Sequence, residues 1–140
     1  MYSKLELSHA DAMTIINAIH DKADAESAGL SVAVVDTHGD LIAFLRTDGC
    51  GLAPITIAQN KAYTAAREKI ESKILGERSK EEGFPMTNFG ELRYVTWGGG
   101  VPIVVDGTVV GAVGVSGLSE SDDITYAKYG ISAFTENLSE

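Results

Sequence analysis

VPIVVDGTVVGAVGV, residues 101–115, sets two β-prone runs on either side of Asp106-Gly107. Aspartate followed by glycine accepts the positive φ that a two-residue hairpin turn requires. A connection this short joins antiparallel neighbours, because a parallel pair needs a crossover of a dozen or more residues. A counterpart lies upstream, where SVAVVD (31–36) and DLIAFLR (40–46) flank Thr37, His38 and Gly39. Both phases of the upstream run are apolar, with Val32 and Val34 on one face and Ala33 and Val35 on the other. The sheet is therefore expected to be covered on both faces, by helices or by another subunit. RYVTW (93–97) reads as a fifth strand.

The helices are read from their periods. Ser8 with Asp11 resembles an N-cap with an acidic third residue, and Ala12, Ile15, Ile16, Ile19 and Ala23 then recur at helical spacing. A first helix is expected from about Ala10 to Ala28, ended by Gly29. Pro54 suits the first turn of a second, whose apolar period runs through Ala58, Ala62, Ala65, Ala66 and Ile70 to Ile74, stopping at Gly76. A short helical piece at Ser79–Glu82 precedes the loop GFPMTNFG (83–90). Ile124, Ala127, Ile131, Phe134 and Leu138 mark the last helix behind a Ser and Asp cluster. The fold class is α+β, an antiparallel five-stranded sheet flanked by helices, in one domain over residues 1–140.

The formal charge of −9 repels nucleic acid phosphates and anionic lipid, so neither nucleic acid nor membrane is an expected partner. A hydrophobic fraction of 44% against 22% charged residues excludes a disordered chain. The start of the chain has no apolar stretch behind a basic segment, which leads to an expected cytoplasmic location. One cysteine, Cys50, excludes an internal disulfide and a cysteine-built zinc cage. Gly111, Gly114 and Gly117 precede the last helix as G-x-x-G-x-x-G, which is neither the dinucleotide fingerprint nor a P-loop. Asp122 and Asp123 already occupy the helix start where an anion would sit, so phosphate binding there is disfavoured.

Taken together, VAVVDTHGDLIAFLRTDG (32–49), IAQNKAYTAA (57–66), GGGVPIVVDGTVVGAVGVSG (98–117) and SDDITYAKYGI (121–131) resemble the GlcG/HbpS-like family of haem-binding proteins. That family includes the C-terminal domain of PduO-type proteins. The resemblance implies a profilin-like fold, a homo-oligomer, and haem or a corrinoid as ligand in some members. It also implies an accessory role in diol, glycerol or glycolate utilisation, while leaving open whether the chain is an enzyme. The alternative is an enzyme or chaperone acting on a small hydroxy acid, diol product or aldehyde.

Several residues carry the chemistry. Arg46 and Asp48 fall in the family's R-x-D-G motif and Lys61 in its KA motif, where an arginine at a strand end clamps a carboxylate. The same three side chains read equally as a structural ion network. Gly98, Gly99 and Gly100 offer a side-chain-free wall for a flat ligand or a subunit, or an ordinary turn. Of the three histidines, His20 borders the apolar stripe of the first helix and is the candidate iron ligand. His9, His38 and Cys50 are weaker candidates, the last being commonly a small buried hydrophobe. Convergence of Arg46, Asp48, Lys61 and the three glycines on one pocket is the expectation carried into the structure.

Overall fold

The structure is a computed structural model, and it describes residues 1–138. Its elements run α1 (His9–Glu26), β1 (Ser31–Val35), β2 (Leu41–Arg46), α2 (Ala53–Glu68), α3 (Ser72–Glu82), a 3₁₀ turn (Met86–Phe89), β3 (Gly100–Val105), β4 (Thr108–Ser116) and α4 (Glu120–Leu138). The sheet is antiparallel throughout in the order β2-β1-β4-β3. Asp106 and Gly107 turn the β3–β4 hairpin at φ 50° and 77°, the paired positive φ of a type I′ turn.

Alternation along the strands splits the interior into two layers. Val32, Val34, Val113 and Val115 face α1 and α4 in the main core, with Ile15 and Ile19 buried among them. Each such fully buried aliphatic side chain contributes about 1.5–3 kcal/mol. On the opposite face Ala33, Val35 and Ala112 meet Ala62, Ala65 and Ala66 of α2. The small residues let α2 lie directly on the strands. Gly114 completes this contact: a Cβ there would stand 2.1 Å from the Ala58 carbonyl oxygen and 2.5 Å from the Ala62 nitrogen.

Helix ends follow local chemistry at one terminus and tertiary contacts at another. Ser8 and Asp11 form a reciprocal capping box, each side chain accepting the other's backbone N–H at 3.1 Å. At the other end α1 stops at Glu26 with Ser27 in the left-handed region, two residues before the expected glycine. Gly29 instead lies against Gly49 and Cys50.

Two expectations are corrected. The sheet has four strands, because RYVTW is held by α2 instead of by a neighbouring strand. Val95 donates its N–H to Thr64 Oγ1 at 2.9 Å, and the Tyr94 ring packs 5.6 Å from that of Tyr63. The expected second helix is two helices. Lys69 takes a left-handed φ of 57° and the chain restarts at Ser72, whose hydroxyl donates to the Trp97 carbonyl at 2.6 Å and accepts from the Gly100 N–H at 2.9 Å. A straight continuation past Glu68 would not present Ser72 to that loop.

Candidate functional site

The sequence-predicted residues fall into two groups. The first is built around Lys61, only 3% exposed on the sheet-facing side of α2. Its ammonium donates to the Val115 carbonyl at 2.9 Å and to Asp123 Oδ2 at 3.0 Å, while Asp123 Oδ1 accepts the Leu118 N–H at 3.0 Å. An isolated buried ammonium would cost several kcal/mol, and the partner carboxylate and the carbonyl offset that cost. Burial pushes the Asp123 carboxyl up; the Lys61 charge and hydrogen bond and the Leu118 N–H oppose the rise.

Gly98, Gly99 and Gly100 lie on the same network, and all three are buried. A Cβ on Gly99, whose φ is +124°, would stand 2.5 Å from the Val115 oxygen and 3.0 Å from Lys61 Nζ; one on Gly100 would stand 2.3 Å from the Lys61 oxygen. Gly98 donates its N–H to Glu120 Oε2 at 2.9 Å, and that bond holds the Glu120 carboxyl below its ordinary value, with Lys73 adding to the effect. The side-chain-free surface of this loop is thus occupied by the chain's own α2, α4 and Ser72.

The second group lines a cleft of about 370 Å³ between the C-terminal half of α1 and the end of β2. His20, Ala23 and Asp24 enter it from one stripe of α1, at spacings of three and four. Leu45, Arg46 and Asp48 enter from β2 and the turn behind it. Thr47 fixes the two walls to each other: its Oγ1 accepts the Leu30 N–H at 2.8 Å and donates to the Ala28 carbonyl at 2.7 Å. Arg46 and Asp48 are exposed and form no ion pair among the described residues. The imidazole of His20 has Nδ1 3.0 Å from Asp21 Oδ1, and Nε2 has no partner among the described residues.

Arg46 and the glycine loop share one end of the sheet but lie on opposite edges. Arg46 pairs with Ser31, Ser31 with Ser116, and the Gly99 carbonyl accepts from Val115 N–H at 3.0 Å. Three inter-strand spacings of about 4.8 Å therefore separate them. The chain brings His20, Arg46 and Asp48 together, and Lys61 with Gly98–Gly100, without joining the two groups. Two residues of the site had escaped sequence reading. Thr47 gave no signal beyond its place inside R-x-D-G, and Asp123 was read only as a helix-start acid.

The remaining candidates are plainly placed. His9 opens α1 and is exposed, and His38 lies in the β1–β2 turn with Nε2 3.3 Å from Lys4 Nζ. Cys50 is half-buried, with Sγ 3.4 Å from Ser31 Oγ. A neighbouring cleft of about 450 Å³ lies on the far side of the α1 C-terminus. Its cation and phenol are already engaged, because Lys22 and Tyr126 both bond Glu26.

An antiparallel sheet of four strands with helices on both faces defines an α+β sandwich, not a dinucleotide-binding parallel sheet. The chain belongs to the family described as haem degrading protein HbpS-like, whose pattern matches residues 7–132. It is 40% identical over 122 residues to Protein GlcG of Escherichia coli strain K12, covering 83% of this chain and 85% of that protein. Among solved structures it resembles Klebsiella pneumoniae protein ORFY, with a TM-score of 0.90 at 24% identity over 96% of this chain and 94% of that one. It also resembles a PduOC:haem complex, with a TM-score of 0.84 at 27% identity over 92% of this chain and 95% of that one.

The cleft residues fit a porphyrin in kind. Among the described residues no group of three or more His, Cys, Asp or Glu side chains could hold a bare metal ion. A porphyrin brings its own four nitrogens and needs from the protein only axial donors, apolar contact and a cation for its carboxylates. His20, the Ala28 and Leu45 surfaces, and Arg46 are of those types and line one cleft. No helix of the described chain is long and apolar enough to cross a membrane.

Proposed function

We propose that this protein binds haem in the cleft between α1 and the end of β2, as a homo-oligomeric accessory protein of small-molecule catabolism. The observation that carries the reading is the meeting of His20, Arg46 and Asp48 on one cleft whose walls Thr47 clamps. Haem supplies a redox-active iron with axial positions open to protein ligands. His20 would offer that iron the lone pair of Nε2, Arg46 would meet a propionate carboxylate, and Ala28 and Leu45 would supply apolar contact to the ring. The cleft is open on one side, so a second copy of the chain would cover the outer face of the ring. Lys61 and Gly98–Gly100 serve as the support that holds α2 and α4 on the sheet. Their burial leaves no role for Lys61 in gripping or activating a small carbonyl compound, which is why the haem reading is preferred to the hydroxy-acid one.

Titration of purified apoprotein with haemin, followed by the Soret band, tests this. The expected outcome is saturable binding with a ligated-iron spectrum, lost in His20→Ala. Arg46→Ala should weaken binding while shifting stability by no more than about 0.5 kcal/mol, as for an exposed charge outside a buried network. A parallel titration with a cobalamin separates the corrinoid alternative, since cobalt also accepts an imidazole. Unchanged haem binding in both variants would overturn the assignment of the cleft.

A further inference from the structure

We propose that Asp21 is a positioning residue for His20, setting which ring nitrogen is presented to the ligand. This rests on the reading of the cleft given above. In a neutral imidazole one nitrogen carries the proton and the other the lone pair, and the hydrogen bond made by the first decides which is which. Asp21 Oδ1 lies 3.0 Å from His20 Nδ1. A carboxylate only accepts hydrogen bonds, so this contact assigns the proton to Nδ1 and leaves the lone pair on Nε2, the nitrogen with no partner among the described residues.

The two residues adjoin on α1, and both side chains are well exposed, at 51% and 79%. In the free protein the contact is therefore in water and weak. A ring seated over His20 would exclude that water and strengthen the hydrogen bond in its lower-dielectric surroundings. The carboxylate then makes the imidazole a stronger donor to iron, which favours the ferric over the ferrous state. Asp24 and Asp48, the carboxylates that line the cleft, and the Arg46 guanidinium face the same space as His20, but none of them bonds a His20 nitrogen. Asp21 is thus singled out by its contact and not by net charge.

Two measurements test this, one without haem. In the ¹⁵N-labelled apoprotein with the imidazole neutral, the ring nitrogen shifts should report the Nδ1–H tautomer, and Asp21→Ala should move the population toward Nε2–H. In the haem-loaded protein, Asp21→Asn keeps an acceptor at this position but removes its charge. The ferric preference should fall about tenfold, the lower end of the effect of mutating a metal ligand's outer-shell partner. For a one-electron couple this raises the midpoint potential by about 59 mV. Asp24→Asn should leave the tautomer unchanged. An Nε2–H tautomer in the parent protein, or a tautomer ratio indifferent to Asp21→Ala, overturns the proposal whether or not haem binds. Failure of haem to bind while the tautomer responds as expected overturns the haem reading and leaves the role of Asp21 standing.

Discussion

Lys61 carries its charge into a space where Asp123 and a single carbonyl answer it. Removing one partner of a buried pair leaves the other uncompensated, so Lys61→Met should destabilise the protein by about 3–5 kcal/mol in urea denaturation. The double variant Lys61→Met, Asp123→Leu should recover most of that loss. A double variant as unstable as the sum of the singles would show that the two do not act as a pair. Glu120 makes a pH-dependent contribution at the same loop. The Gly98 N–H, and then Lys73, hold its folded pKa below the ordinary 4.5. Folding therefore favours the ionised form: the added stability is present above the unfolded value and lost as pH falls through the folded one. Stability measured from pH 6 down to pH 3 should fall less steeply in Glu120→Gln than in the parent. Equal slopes would remove Glu120 from the account.

The α2 helix approaches the sheet closely enough that backbone, not side chain, meets the β4 position at Gly114. Gly114→Ala would drive a Cβ to 2.1 Å from the Ala58 oxygen. Neither α2 nor β4 can yield without disturbing the Lys61 bonds, so destabilisation of at least about 1–3 kcal/mol is expected by thermal or urea melting. A neutral Gly114→Ala would mean that α2 stands farther off. Elements whose signals are local were legible: the Ser8–Asp11 cap, the Asp106-Gly107 turn, and the alternating faces of β1. RYVTW was not, since aromatic and β-branched residues suit a strand wherever a partner is free, and here Thr64 and Tyr63 of α2 take the hydrogen bond and the ring. The break at Lys69 was equally hidden, because no glycine or proline marks it.

At the scale of the molecule, helices of the same chain cover both faces of the sheet, so the apolar strands no longer demand a partner subunit. The reason to expect assembly is now the open cleft. Each edge of the sheet carries one common guard against edge pairing: Pro102 on β3, and on β2 a bulge that leaves Ile42 unpaired between Leu41 and Ala43. Leu41 is exposed at the start of β2, ahead of a half-buried run. Light scattering at micromolar concentration should give at least a dimer, with haem increasing the assembled fraction if a second copy closes over the ring. A monomer at every concentration, with or without haemin, would oppose this.

The sequence by itself determined the antiparallel hairpins, the two-sided sheet and the outer helices, because turn chemistry, period and capping act within a few residues of the chain. It also marked His20, Arg46, Asp48, Lys61 and the three glycines as the positions to watch. Which of them meet was decided only by the tertiary structure. Arg46 and Lys61 are fifteen positions apart in sequence and look like neighbours in a list of motifs. Strand order puts β1 and β4 between Arg46 and the glycine loop, and the alanine face of α2 draws Lys61 down into the sheet. His20, far earlier in the chain, shares a cleft with Arg46 because α1 packs beside β2 and Thr47 ties the end of β2 to the segment that leads from α1 into β1. Distances of this kind come from the packing of whole elements, and no local pattern of residues encodes them.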